Sequence, residues 1–324
     1  MVIKIVLGCV AALMALFLII LVICFLKVFY SPRRRPLADG EYDIPKGEVY
    51  KAFRKDIEGW VDEVRTLPHE KIEIVSHDGL VLRGRYYEYR KGAPVEILFH
   101  GYRGSSDRDM CAGVSRSFAV GRNALLVDQR ASGASDGSVI SFGINERLDC
   151  LRWVEHLNER FNGDVEIILT GISMGAATVM MASAEKLPPN VVCVLADCGY
   201  TSVEAIIRKV LRDMHLPPGI FYPLVRLSAR IFGGFDPNAT SPLEAVKMTD
   251  IPIIFIHGDA DGFVPCEMSE ELFEACASLK KLVKIHGADH GLAYPTDREG
   301  YVKALKDFEV EWRSQQNIRK AVDK

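Results

Sequence analysis

The chain has 324 residues, 48% of them apolar and 26% charged, and a formal net charge of −3. A chain of this size buries a large core, and its near balance of charge gives no footing for a nucleic-acid partner. Its eight cysteines follow neither zinc-site nor disulfide-framework spacing, so free thiols in a reducing setting are the simpler reading.

No residue from Ile5 to Leu26 is charged, a run of about 22 residues and long enough to cross a bilayer. The run exceeds a signal-peptide core, and Lys27-Val28-Phe29-Tyr30-Ser31-Pro32 contains no small-x-small cleavage site, so residues 1–31 are expected to be an uncleaved anchor. Lys27, Arg33, Arg34 and Arg35 outweigh Lys4 and the α-amine, which favours a cytoplasmic position for the rest of the chain. Residues 32–69 read as a linker and an amphipathic helix, with Phe53, Ile57, Trp60 and Val64 at helical spacing and expected to pack on the following domain.

The domain itself is expected over 70–324. Ile72 and Ile74, then Leu80 and Leu82, alternate with polar residues around His77-Asp78-Gly79 and predict a hairpin. Val95 to Phe99 is a buried strand that runs into His100-Gly101-Tyr102-Arg103-Gly104, a turn with unpaired backbone N–H groups. A helix near 108–120, a strand at 124–127, an amphipathic helix over 146–161 and a strand over 191–196 complete a βαβα alternation. That alternation implies a mostly parallel sheet with helices on both faces.

Ile167-Ile168-Leu169-Thr170-Gly171-Ile172-Ser173-Met174-Gly175 is a buried strand turning sharply into a small-residue helix. The Gly-x-Ser-x-Gly at the turn is a nucleophile elbow: it holds Ser173 in strained backbone, and side chains at the flanking glycines would collide with strand or helix. Residues 201–250 hold no strand but many apolar residues, divided by Pro217-Pro218-Gly219, with Ser241-Pro242-Leu243-Glu244 reading as a capping box. A small helical cap over an active site is expected there. A strand over 251–256 then ends in His257-Gly258-Asp259-Ala260-Asp261-Gly262, and one over 282–285 ends in His286-Gly287-Ala288-Asp289-His290.

A serine, then an acid after a late strand, then a histidine after the last strand is an order that resembles the α/β-hydrolase superfamily. The resemblance extends from about Lys71 to Trp312. Within it the chain is similar to bacterial membrane-anchored serine hydrolases of the esterase, lysophospholipase and serine aminopeptidase-like branch. It implies Ser173, Asp261 and His290 as catalytic residues, with Asp259 and then Asp197 as the next candidates for the acid. It also implies the Tyr102 and Met174 N–H groups as oxyanion donors, and His100 as an organiser of its loop. Gln129 departs from the aromatic residue that many relatives carry after Asp128. The expected activity is cleavage of an ester or thioester with an apolar acyl group, with no metal or organic cofactor; its partners are a small-molecule or lipid acyl substrate and the membrane. The alternatives are a peptidase on the same scaffold and a catalytically silent, membrane-tethered interaction protein.

Overall fold

A computed structural model describes residues 1–32, 40–45 and 47–322, so the basic run Arg33 to Arg35 lies outside the described residues. Eight strands make one sheet: β1 (Glu70–Val75), β2 (Val81–Tyr87), β3 (Val95–Phe99), β4 (Asn123–Asp128), β5 (Ile167–Ile172), β6 (Val191–Asp197), β7 (Ile253–Gly258) and β8 (Lys280–Ile285). Their spatial order is β1-β2-β4-β3-β5-β6-β7-β8. β1 and β2 form the hairpin, closed by the Ser76 hydroxyl, which accepts the Leu80 N–H and donates to Asp78. β2 runs antiparallel to β4, and the remaining pairings are parallel.

The central strands are buried on both faces, which is why β5, β6 and β7 read as continuous apolar runs without alternation. Successive residues still serve opposite layers. Ile97 and Phe99 of β3 pack with Trp153, Leu157 and Val179 from the Glu146–Phe161 and Met174–Ala182 helices. Leu98 faces the other way, with Val114 of the Cys111–Ala119 helix and Ile57, Val61 and Val64 of the Arg54–Thr66 helix. The C-terminal helix, Arg298–Val322, covers the β6–β8 side through Tyr301, Leu305, Phe308 and Trp312.

Among the polar groups buried in this core, one carries a carboxylate at its centre. Glu96, the second residue of β3, is fully buried, and its carboxylate accepts from Arg116, Ser117 and Thr170 and pairs with Arg122. Burial alone would push that carboxyl up, but the two guanidinium groups and the hydroxyls hold it below its ordinary value.

The 201–250 insert is helical, with Val203–Asp213, Pro218–Ser228, a π-turn at Ala229–Gly233 and Pro242–Val246. Ser241 caps the last of these by accepting the Glu244 N–H. The insert packs against the end of the Val2–Val28 helix. Phe29 stands edge-on to both Phe142 and Phe235, with ring centroids 5.8 and 5.3 Å away, and Phe25 lies 5.7 Å from Phe232. The Val2–Val28 helix is otherwise largely exposed and is long and apolar enough to span a membrane.

Candidate active site

β5 delivers Ser173 at the start of the Met174–Ala182 helix with φ 56° and ψ −113°. That backbone is strained for a residue with a side chain, and neighbouring atoms enforce it. A Cβ on Gly171 would lie 2.1 Å from the Gly175 carbonyl carbon, and one on Gly175 would lie 2.0 Å from the Phe99 oxygen. Only glycine lets the helix start this close to the strand.

The Ser173 hydroxyl lies 3.0 Å from His290 Nε2, and His290 Nδ1 lies 2.7 Å from Asp261 Oδ2. The other Asp261 oxygen accepts the Phe263 and Val264 N–H groups, each at 2.8 Å. His257 Nε2 approaches the same carboxylate at 3.1 Å, and Ser269 engages its Nδ1. Burial opposes ionisation of Asp261, but the hydrogen bonds from His257 and His290 prevail and hold the carboxyl well below the usual carboxylate range. It is therefore an anion that fixes the His290 proton on Nδ1 and leaves Nε2 free to accept from Ser173.

The other acids take different places. Asp259 accepts from the Gly287 N–H at 2.7 Å and lies 2.9 Å from His286 Nδ1, joining the loops that carry Asp261 and His290. Asp197 is buried at the end of β6, where the Tyr301 hydroxyl donates to its Oδ2 at 2.8 Å and burial pushes its carboxyl up. His100 Nδ1 bonds the Gly101 carbonyl, while its Nε2 accepts the Gln129 N–H and the Gln129 amide donates to the His100 carbonyl. His100 and Gln129 thus clamp the loop from behind, and Gln129 lies outside the lining of the cavity.

The loop itself is held from two sides. The Gly101 N–H donates to Asp109, and the Tyr102 hydroxyl donates to the Val28 carbonyl at 2.6 Å. Arg103, at φ 52°, donates to the carbonyls of Lys27 and Tyr30. The backbone N–H groups of Tyr102 and Met174 take no hydrogen-bond acceptor among the described residues.

Ser173 and His290 open on a cavity of about 360 Å³, a size suited to a small-molecule ligand. Its wall differs from the sequence expectation. No residue of the 201–250 insert lines it; the roof comes from Pro45, Tyr50, Ile57 and Trp60 of the linker segment, and Met110, Leu292 and Tyr294 add further apolar surface. Tyr50 donates to the His290 carbonyl at 2.9 Å, and burial raises its hydroxyl well above the ordinary tyrosine value. Arg116 and Asp197 also line the cavity, with Arg116 Nε and Asp197 Oδ1 buried and without a hydrogen-bond partner among the described residues. The helical spacing of Ile57 and Trp60 announced a buried face, but no local signal pointed that face at Ser173.

Residues 141–316 match the prolyl oligopeptidase family. Among curated proteins the chain is similar to the uncharacterized protein YqkD of Bacillus subtilis, 27% identical over 58% of this chain; the chain spans only 62% of that protein's length. It is similar also to an uncharacterized membrane protein of Saccharomyces cerevisiae, YNL320W, 23% identical over 81% of this chain and 88% of that one. Among solved structures, an esterase of Pyrococcus furiosus superposes with a TM-score of 0.65 at 21% identity, covering 88% of this chain and 99% of the esterase. That last likeness is one of fold.

Proposed function

The chain belongs to the prolyl oligopeptidase family, with an α/β-hydrolase fold, and from that premise we propose that it is a serine hydrolase cleaving an ester or thioester with an apolar acyl group. The observation that carries the reading is the unbroken chain of hydrogen bonds from Ser173 through His290 to Asp261 at the edge of a largely apolar cavity.

His290 Nε2 takes the hydroxyl proton as Ser173 Oγ attacks the acyl carbon, and Asp261 stabilises the imidazolium that forms. The Tyr102 and Met174 N–H groups receive the oxyanion, each contributing about 3 kcal/mol to the transition state. Collapse of the tetrahedral adduct breaks the bond to the leaving group, which takes the proton from His290, and acyl-Ser173 remains. Water then attacks, giving its proton to His290, and the acid departs as Ser173 regains its hydrogen. The substrate is a small molecule or a lipid, the chain is held at the membrane through its N-terminal helix, and the basic residues after that helix favour a cytoplasmic catalytic domain.

A peptidase is the second reading. The family match favours it, and so does the unpartnered Asp197 Oδ1 in the cavity wall, an acceptor available to a substrate amine or amide N–H. The test is labelling with a fluorophosphonate probe, followed by turnover of an acyl-chain-length series of esters beside aminoacyl amides. The expected result is labelling of the full chain, none of Ser173→Ala, and preference for apolar acyl esters. Labelling that survives Ser173→Ala rejects the nucleophile, and faster turnover of the amides selects the peptidase.

A further inference from the structure

The Pro218–Ser228 helix is apolar on two sides. Tyr222 and Val225 point into the domain, and the core they enter includes Phe25 and Phe29. Ile220, Pro223, Leu227 and Ile231 recur at helical spacing on the open side. Ile220 is 64% exposed and Ile231, in the π-turn that follows, 54%; Phe232 beside it is also exposed. The polar side of the helix is confined to Arg226 and, in the π-turn, Arg230, which both pair with Asp236, so the outer side is left apolar.

The span beside it leaves the same face short of cover. Burial of the Val2–Val28 helix against the domain begins at Leu21. The uncharged stretch before that point, from Ile5 to Ile20, is about 24 Å long at 1.5 Å per residue, whereas the hydrocarbon core of a bilayer measures about 30 Å. The missing distance corresponds to about four more residues, through Cys24, which already packs in the cluster that holds Tyr222 and Val225 of the insert.

We propose that the open side of the insert is a second membrane contact: Ile220, Leu227, Ile231 and Phe232 enter the edge of the bilayer beside the span, so the domain sits on the lipid surface. The occupant of this face is lipid because the face joins, through the Phe25–Phe232 contact, a helix whose exposed Ile23 falls within the hydrocarbon length just reckoned. The insert is accordingly a foot of the domain, which explains why none of its residues lines the cavity at Ser173.

The experiment uses the full chain reconstituted in phosphatidylcholine vesicles with or without lipid brominated on its acyl chains. Ile220→Trp and Ile231→Trp report the foot, Phe17→Trp reports the span, and Val310→Trp reports an exposed residue of the C-terminal helix; the unsubstituted chain supplies the background of its native tryptophans. Because every replaced side chain is well exposed, folding is preserved. Brominated lipid is expected to remove about half or more of the emission added at positions 17, 220 and 231, the depth of an interfacial apolar face, and to spare position 310. Quenching at 17 without quenching at 220 and 231 overturns the proposal while leaving the span intact. A blue-shifted but unquenched signal at 220 and 231 overturns it in favour of a second copy of the chain. Absence of quenching at 17 overturns both the span and the foot.

Discussion

Four hydrogen bonds converge on the Asp261 carboxylate, two from histidine rings and two from backbone N–H groups, and no other acid near Ser173 is held in this way. Asp261→Asn replaces the anion that sets the His290 tautomer, so kcat is expected to fall by about 10⁴-fold with KM little changed. Asp259→Asn loosens only the joint between two loops and is expected to cost far less; kinetics on both variants rank them, and the reverse order moves the acid to Asp259. The pH dependence follows from the same group. Its folded carboxyl is depressed, so its contribution to stability is complete above the unfolded value of about 4 and is lost as pH falls below it. Acid denaturation monitored by circular dichroism is expected to be shallower for Asp261→Asn than for the natural chain below that point.

At the scale of elements, β3 depends on the ion cluster around Glu96. Glu96→Ala leaves Arg116 and Arg122 buried without their shared anion and is expected to destabilise the fold by about 3–5 kcal/mol, read from the denaturant midpoint. A loss under 1 kcal/mol shows that the arginines find other partners. The strands, the hairpin and the elbow were legible in the sequence because their signals are local: β-branched runs, His77-Asp78-Gly79, and glycines on both sides of Ser173. The order of serine, acid and histidine was legible too, and the structure brings these three side chains within hydrogen-bonding reach. The roof of the cavity was not. The spacing of Phe53, Ile57, Trp60 and Val64 shows that one side of a helix is buried, but which surface receives it depends on contacts distant in sequence. The insert posed the same difficulty, since its apolar residues fit a lid until Phe25 and Phe29 appear as their partners. Glu96 was likewise hidden, as a carboxylate inside a strand gives no sign of arginines twenty and more residues away.

For the whole molecule, the span and the domain are one packed body at their junction. Phe29 is completely buried, so a cut at Pro32 would strip an aromatic residue from the core, whereas a cut after Ile20 leaves Leu21, Phe25 and Phe29 in place. The junction also carries a mechanical consequence. The last carbonyls of the helix are gripped by Tyr102 and Arg103, and the Tyr102 N–H is one of the two proposed above to receive the oxyanion. A stiff rod about 40 Å long that ends on this loop is a lever, and hydrophobic mismatch sets its tilt. Hydrolysis of a soluble ester should therefore change between bilayers of short and long acyl chains, although the substrate never enters the lipid. Arg103→Ala, which releases part of the grip, should flatten that dependence; equal rates across all bilayers for the natural chain would show that the lever does not move. A rate that does follow acyl-chain length would make bilayer thickness a variable of the reaction, set by the surrounding lipids and transmitted through a single helix end.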